Sequence, residues 1–444
     1  MNDPRDHLDR ALRTRDATIG IVGLGYVGLP LALSAVRAGF RVIGFDVNPE
    51  RVTRINAGEP VIAHLDTASV RAALDTGRFR ASQDMDGLAE PDAILICVPT
   101  PLTRQREPDL SFVRATAADI ARRLRPGQLV VLESTTWPGT TQEVLKPILE
   151  ATGLASGRDF FLAFSPERED PGNATHTLAS TPKVVGGDGA AARDLADLLY
   201  GAIVSRTVPV SSTAAAEAVK LTENIFRAVN IALVNELKVV YDAMGIDIWE
   251  VIEAAATKPF GFMAFQPGPG LGGHCIPIDP FYLTWKAREV DVATRFIELA
   301  GEVNRQMPHY VVGRLAEALD RRSRRGLAGA EILLIGVAYK RNIDDMRESP
   351  ALKLTEILEA RGARVLFHDP FVPEIPPTRE HPALTGRRSV PLEPGLLAGC
   401  TAALIVTDHD GIDWGMIVAH APLVIDTRNA CARAGLTGGP IVKA

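Results

Sequence analysis

Three glycines, Gly23, Gly25 and Gly28, stand between an apolar run at 17–22 and a helical run at 30–38. This placement constrains the fold more than any other feature of the chain. In a strand–turn–helix unit, the first glycine permits a tight turn and the second admits a pyrophosphate close to the backbone. The third lets helix and strand pack closely. The helix N-terminus then offers free amides and a partial positive charge to the phosphates. A second apolar run, 40–46, ends in Asp46, whose carboxylate suits the adenosine ribose hydroxyls and repels a 2′-phosphate. NAD is therefore favoured over NADP, although the nearby Arg51 is a residue type that can hold a phosphate.

Further apolar runs at 93–98, 129–133 and 160–164 alternate with helical stretches such as 112–124, a pattern that predicts a parallel sheet with right-handed crossovers. Near Ser211 the pattern changes. Residues 213–244 read as one long helix without Gly or Pro, 248–256 as a second, and 259–280 as a loop dense in both residues. Helix resumes over 292–322, and the short basic run 321–325 reads as its solvated end. Strand–helix alternation returns at 331–336, 350–361, 363–367, 402–407 and 423–426. The expected fold is α/β, with two Rossmann-like doubly wound sheets joined by a central helical domain. The corresponding segments are 1–210, which binds the dinucleotide, 211–326, and 327–444.

Length and composition agree with this division. A chain of 444 residues exceeds what one hydrophobic core sustains. The net charge of −6 is too mild to point to nucleic acid. The polar segment 1–17 does not read as a signal peptide, and no 18-residue apolar run predicts a membrane helix. Cys97, Cys275, Cys400 and Cys431 form no CxxC pair and read as reduced thiols of a cytoplasmic protein. The nine histidines lack metal-ligand spacing, so no metal site is expected.

Cys275 lies in the Gly/Pro loop. The glycines beside it admit a substrate to the backbone, yet most unpaired cysteines are small buried fillers, and the residues alone leave both readings open. Cys97, inside an apolar run, reads as filler. Lys220 and Asn224 share one face of the long helix. Their alanine- and valine-rich surroundings suit a buried pair that stabilises a developing oxyanion better than they suit a solvated stripe.

These residues resemble the UDP-sugar 6-dehydrogenases over 19–426. The resemblance is carried by Gly-Leu-Gly-Tyr-Val-Gly-Leu-Pro at 23–30, Val98-Pro99-Thr100-Pro101, Glu133-Ser134-Thr135-Thr136, Ser165-Pro166-Glu167 and Lys220-x-x-x-Asn224. It is extended by Gly272-Gly273-His274-Cys275-x-Pro-x-Asp279, Gly336-Val-Ala-Tyr-Lys340 and Arg347-Glu348-Ser349-Pro350. It implies that Cys275 is a covalent catalyst, that Lys220 and Asn224 stabilise the C6 oxygen, and that Asp279 and Thr135 hold a proton-relaying water. Glu167 assists thioester hydrolysis in this scheme. It further implies NAD contacts from Gly23, Gly25, Tyr26, Val27, Gly28, Asp46, Arg51, Pro99, Thr100, Ser134, Thr135 and Arg347. Substrate contacts are implied for Glu167, Arg168, Lys220, Asn224, Gly270, Gly272, His274 and Lys340.

The segments 165–172 and 267–275 are similar to the UDP-N-acetylglucosamine 6-dehydrogenase branch. His274 and the Arg168-Glu169 pair depart from the UDP-glucose branch. The resemblance thus implies four-electron oxidation of a UDP-N-acetylhexosamine, UDP-N-acetylglucosamine foremost, by a homodimer or higher oligomer. UDP-N-acetylmannosamine, UDP-N-acetylgalactosamine and UDP-glucose remain alternatives. A two-electron hydroxyacid dehydrogenase would need no thiol, and a non-catalytic NAD-binding scaffold would tolerate loss of Cys275.

Overall fold

A computed structural model describes residues 4–59, 61–62, 65, 67–103, 107–168, 179–273, 275–378 and 380–444. The chain forms two compact units. One comprises 1–223 and 281–293, the other 224–280 and 294–444.

The first unit is built on an eight-stranded sheet of order β3-β2-β1-β4-β5-β6-β7-β8. Its strands are β1 (Thr18–Val22), β2 (Arg41–Phe45), β3 (Phe79–Ser82), β4 (Ala93–Ile96), β5 (Leu129–Leu132), β6 (Phe161–Phe164), β7 (Lys183–Gly187) and β8 (Thr207–Pro209). The expected runs at 17–22, 40–46, 93–98, 129–133 and 160–164 became five of these strands. All pairings are parallel except β6 with β7. The central strands β4, β5 and β6 are buried along their whole length, which explains their uninterrupted apolar sequences. Strands β3, β7 and β8 had not been expected, since polar or Gly/Pro residues interrupt them. The polar N-terminal segment forms the helix Pro4–Thr14, whose Leu8 and Leu12, one turn apart, insert into the core beneath the sheet.

The second unit carries a five-stranded, all-parallel sheet of order β10-β9-β11-β12-β13. It comprises β9 (Glu331–Ile335), β10 (Arg364–His368), β11 (Ala402–Ile405), β12 (Val424–Asp426) and β13 (Ile441–Lys443). The helix Pro350–Ala360 and the long helix Arg295–Ser323 cover one face of this sheet. Helix Thr213–Met244 runs the full length expected of it, and Gly245 ends it at positive φ. The chain passes from the first unit to the second within this helix, between Glu223 and Asn224.

Candidate functional site

In the first unit, β1 leads directly into the glycine turn. Gly23 has φ +94°, and a Cβ there would stand 2.6 Å from the carbonyl oxygen of Cys97 on the neighbouring chain segment. A Cβ at Gly28 would lie 1.9 Å from the carbonyl oxygen of Gly23, so helix Gly28–Arg37 can approach the turn only with glycine at its first position. A Cβ at Gly25 meets nothing within 4 Å, which leaves open space where a pyrophosphate would approach. No side chain caps this helix; the Leu29 amide donates to the Gly25 carbonyl at 3.1 Å and Pro30 has no N–H, so the Gly28 amide and the helix dipole are what its first turn can offer an anion. The turn therefore fits NAD on its own geometry.

Asp46, just past β2, is buried. It accepts hydrogen bonds from the amides of Leu24 and Asn48 at 2.9 Å each and an ion pair from Arg51 at 2.9 Å. The carboxylate thus braces the glycine turn, and Arg51 neutralises it. Tyr26 and Val27 are half-buried beside the turn. Across the sheet, Ser134 Oγ donates to the Val98 carbonyl at 2.7 Å, and Tyr282 Oη donates to the Thr100 carbonyl at 2.8 Å. These bonds fix the 97–101 and 133–136 segments that follow β4 and β5. Pro99 is exposed there and Thr135 half-buried.

Lys220 is buried on the long helix in this unit. Three residues earlier, Glu217 accepts from the Gly139 amide at 2.6 Å, the Thr141 amide at 2.9 Å and Thr141 Oγ1 at 2.7 Å. Burial raises Glu217 to about 7 against the pull of these donors. Arg168 donates to the Pro182 carbonyl at 2.6 Å and pairs with Glu223. Glu167, next to it, is half-buried.

In the second unit, the Gly/Pro loop is pinned at successive glycines. The Gly268 amide donates to Asn235 Oδ1 at 3.0 Å, and Asn235 in turn holds Asn304 at 2.9 Å. A Cβ at Gly270 would press on Pro308 and Pro350, and one at Gly272 would stand 2.6 Å from Tyr339 Cβ. The Gly273 amide donates to the Arg347 carbonyl at 2.9 Å. Two residues beyond Gly273 comes Cys275, half-buried. Its carbonyl accepts the amides of Ile278 and Asp279, at 3.1 and 2.8 Å, and so turns the chain into helix Asp279–Ala287. Asp279 is buried and accepts from Asn224 Nδ2 at 2.5 Å. Sequence positions 224, 275 and 279 are thereby brought into one constellation.

Of the four thiols, three are held protonated by burial. Cys97 lies well above its usual value, with Glu133 adding to the effect. Cys400 is raised to about 11 and Cys431 to about 12. None of the three suits thiolate chemistry.

The second sheet repeats the turn architecture without the glycine triplet. After β9, Gly336 has φ +79°, and a Cβ there would lie 2.2 Å from the Thr407 carbonyl oxygen. Asp369, just past β10, accepts from the Val337 and Ala338 amides at 2.6 and 3.1 Å, much as Asp46 accepts from Leu24. His409 contacts Asp369 through Nε2 at 3.0 Å and accepts the Asn342 amide at Nδ1, which assigns the proton to Nε2. Burial alone would raise Asp369, but His409 and the amides outweigh it and hold the carboxyl below its usual range. Lys340 is half-buried in the segment before Asn342. Arg347 is exposed and pairs with Asp345 at 2.6 Å.

His274 and residues 169–172 lie outside the described residues. Glu217, one turn before Lys220 on the same face of the long helix, is legible in the sequence, whereas Asn235, Asp369 and His409 were not anticipated. For Asn235 the legible signal was a polar residue after an apolar run; His409, between Asp408 and Asp410, carries no such signal. Among the described residues there is no cluster of metal-ligating side chains and no helix long and apolar enough to cross a membrane.

Three family models match the chain. The NAD binding domain of the UDP-glucose/GDP-mannose dehydrogenase family matches 17–204, its central domain 214–306, and its UDP binding domain 333–433. Among curated relatives, a UDP-N-acetyl-D-mannosamine dehydrogenase of Pyrococcus horikoshii is 35% identical, covering 93% of this chain and 95% of its own length. A UDP-N-acetyl-D-glucosamine 6-dehydrogenase of Pseudomonas aeruginosa is 37% identical, covering 81% and 84%. An NDP-N-acetyl-D-galactosaminuronic acid dehydrogenase of Ralstonia solanacearum is 36% identical, covering 95% and 98%. The solved structure of the Pyrococcus horikoshii UDP-D-ManNAc dehydrogenase superposes with TM-score 0.86 at 34% identity, over 96% of this chain and 98% of its own.

Proposed function

The chain belongs to the UDP-glucose/GDP-mannose dehydrogenase family and uses NAD, and we propose that it oxidises the C6 hydroxyl of a UDP-N-acetylhexosamine to the uronate through a thioester on Cys275. The observation that carries this reading is the Asn224–Asp279 hydrogen bond, made one turn beyond the thiol whose own carbonyl starts the Asp279 helix. It supports reading Asn224 as an oxyanion donor, Asp279 as a proton acceptor and Cys275 as a nucleophile.

NAD, held at the Gly23–Gly28 turn, would supply a hydride acceptor for each of two oxidations. In the first, the C6 hydroxyl gives its proton to a water held by Asp279 and Thr135 as the alcohol becomes an aldehyde. Lys220 and Asn224 steady the charge that develops on the C6 oxygen. The Cys275 thiolate then adds to the aldehyde carbon, which prevents its loss and forms a thiohemiacetal. The second oxidation gives the thioester. Water, assisted by Glu167, releases the acid and restores the thiol. Residues 1–210 hold NAD with Gly23, Gly25, Tyr26, Val27, Gly28, Asp46, Arg51, Pro99, Thr100, Ser134 and Thr135, joined by Arg347. Residues 327–444 hold the UDP moiety near Lys340, and 211–326 carry the dimer contact. Arg168, Gly270, Gly272 and His274 line the sugar. Phe226, Leu233, Val240 and Met244, exposed along one long helix, support a homodimer through that segment.

UDP-N-acetylglucosamine is the substrate supported by the 165–172 and 267–275 motifs. The three relatives, at 35–37% identity, do not choose among epimers. The test is an assay with UDP-N-acetylglucosamine, its manno and galacto epimers and UDP-glucose, counting NADH per sugar consumed. Two NADH and the highest kcat/KM with UDP-N-acetylglucosamine are expected. One NADH per sugar would overturn the four-electron chemistry. A better epimer would overturn only the sugar assignment.

A further inference from the structure

Beneath the first sheet's C-terminal edge lies an ion pair that the reaction above does not use. Glu133 follows β5 directly and Lys183 opens β7; both are almost wholly buried. Lys183 Nζ donates to Glu133 Oε2 at 2.6 Å and to the Pro166 carbonyl at 3.2 Å. Tyr200 Oη donates to the other Glu133 oxygen, and Lys183 lies 4.9 Å from the centre of the Tyr200 ring. Desolvation makes such a pair a weak source of stability, and apolar replacements of similar volume are often neutral or better. Its presence therefore asks for another reason.

That reason is visible in what the pair ties down. Three consecutive points on β7 and its lead-in grip three residues of the turn after β6. Ser165 Oγ donates to the Val184 carbonyl at 2.8 Å, Lys183 holds the Pro166 carbonyl, and Arg168 holds the Pro182 carbonyl at 2.6 Å. Glu167 sits between two gripped residues. At the other end, Glu133 precedes Ser134, itself bonded to Val98, and Thr135. One ion pair thus couples the turn bearing Glu167 to the turn bearing Thr135.

We propose that the buried Glu133–Lys183 pair, braced by Tyr200, positions Glu167 for hydrolysis of the Cys275 thioester. The inference rests on the thioester reading above. In that step a C–O bond forms from water to the acyl carbon and the C–S bond to Cys275 breaks. A water proton passes to the Glu167 carboxylate and on to the departing thiolate. Misplacing the carboxylate slows this step, while the Ser134 bond to Val98 still holds the Thr135 turn and leaves both oxidations intact. Burial opposes the Lys183 charge, but Glu133 and Glu167 outweigh it and raise its pKa, so Lys183 remains an ammonium donor. Burial likewise holds the Tyr200 phenol well above its usual value, so it remains a donor to Glu133.

The test uses Glu133→Gln combined with Lys183→Met, which removes both charges at nearly constant volume, where Lys183→Met alone would strand a buried carboxylate. With UDP-N-acetylglucosamine and NAD, the double variant is expected to give a normal burst of NADH and release acid about tenfold or more slowly, because small misplacements of a reacting group carry such costs. Intact mass is expected to show the acyl adduct accumulating on Cys275, and Lys183→Arg, which keeps the charge, is expected to restore release. Wild-type release without adduct in the double variant overturns the proposal. Should the double variant not fold, Tyr200→Phe removes one brace and is expected to accumulate the same adduct, and an unchanged partition there overturns it. A Glu167→Gln enzyme that shows no adduct would instead indict the thioester reading itself.

Discussion

Asn224 donates its side-chain amide to Asp279 at 2.5 Å, both side chains being buried. The bond joins the long helix to the first residue of the helix that follows the Cys275 loop. It holds the Asn224 amide against Asp279, whose backbone amide donates to the Cys275 carbonyl at 2.8 Å. Asp279→Asn removes that charge at constant shape. We expect kcat to fall about 100-fold or more, as for loss of a general base, with KM changing only a few-fold. Steady-state NADH kinetics check this, and an unchanged kcat contradicts the role.

Asp46 braces the glycine turn and, in the function proposed above, also faces the ribose. Asp46→Asn keeps the volume but weakens a charge-assisted set of bonds. We expect kcat/KM for NAD to drop about 10- to 100-fold, the range set by hydrogen bonds to a charged group. Discrimination against NADP should narrow as well, read from parallel titrations of the two cofactors.

Glu217 gives a stability signature with a definite sign. Its folded value, about 7, lies above the ordinary 4.5, so the folded protein binds this proton more tightly than the unfolded chain. The stability that proton confers is full below about pH 4.5 and is lost as pH rises through about 7, a change of about 3 kcal/mol for this shift. Glu217→Gln cannot titrate. Its melting temperature relative to the native protein should therefore climb between pH 5 and pH 8, whatever the offset between the two. Thermal melts across that range decide the matter, and a flat difference would refute it.

Gly272 is hemmed in by Tyr339, Glu348 and Pro350, with a Cβ position only 2.6 Å from Tyr339 Cβ. Gly272→Ala must shift the segment three residues before Cys275. We expect kcat to fall about 10-fold or more while NAD affinity, measured by fluorescence titration, stays the same, since the glycine turn is untouched. A loss of NAD affinity equal to the loss of kcat would contradict a local effect.

Legibility in the sequence followed how strongly each element declares its environment. The doubly buried strands β4, β5 and β6 are unbroken apolar runs, and the helix Thr213–Met244 shows its period over its full length. Both could be read directly. The glycine triplet was readable from its place between strand and helix; Gly23 and Gly28 each answer a steric demand, and Gly25 borders open space. Edge strands such as β3 and β8, short and partly exposed, carry no such run, and β13 is similar. Helix Pro4–Thr14 announces itself with only Leu8 and Leu12. Lys183 and Glu133 show how site support hides. A lysine beside Val-Val and a glutamate after Leu-Val-Val-Leu are visible as misfits, but their pairing across fifty positions is a property of the folded sheet. The Asn224–Asp279 bond, made over a comparable separation, could be anticipated only as two separate roles.

The central claim is that Cys275 carries the acyl group. Cys275→Ser, incubated with UDP-N-acetylglucosamine and NAD, tests it most directly when uronate formation and intact protein mass are followed together. The account predicts a wild-type adduct that maps to Cys275 when the reaction is quenched in turnover. In the variant it predicts uronate formation reduced about 1,000-fold or more, the scale for loss of a nucleophile. Uronate formed by the variant at the wild-type rate would contradict it.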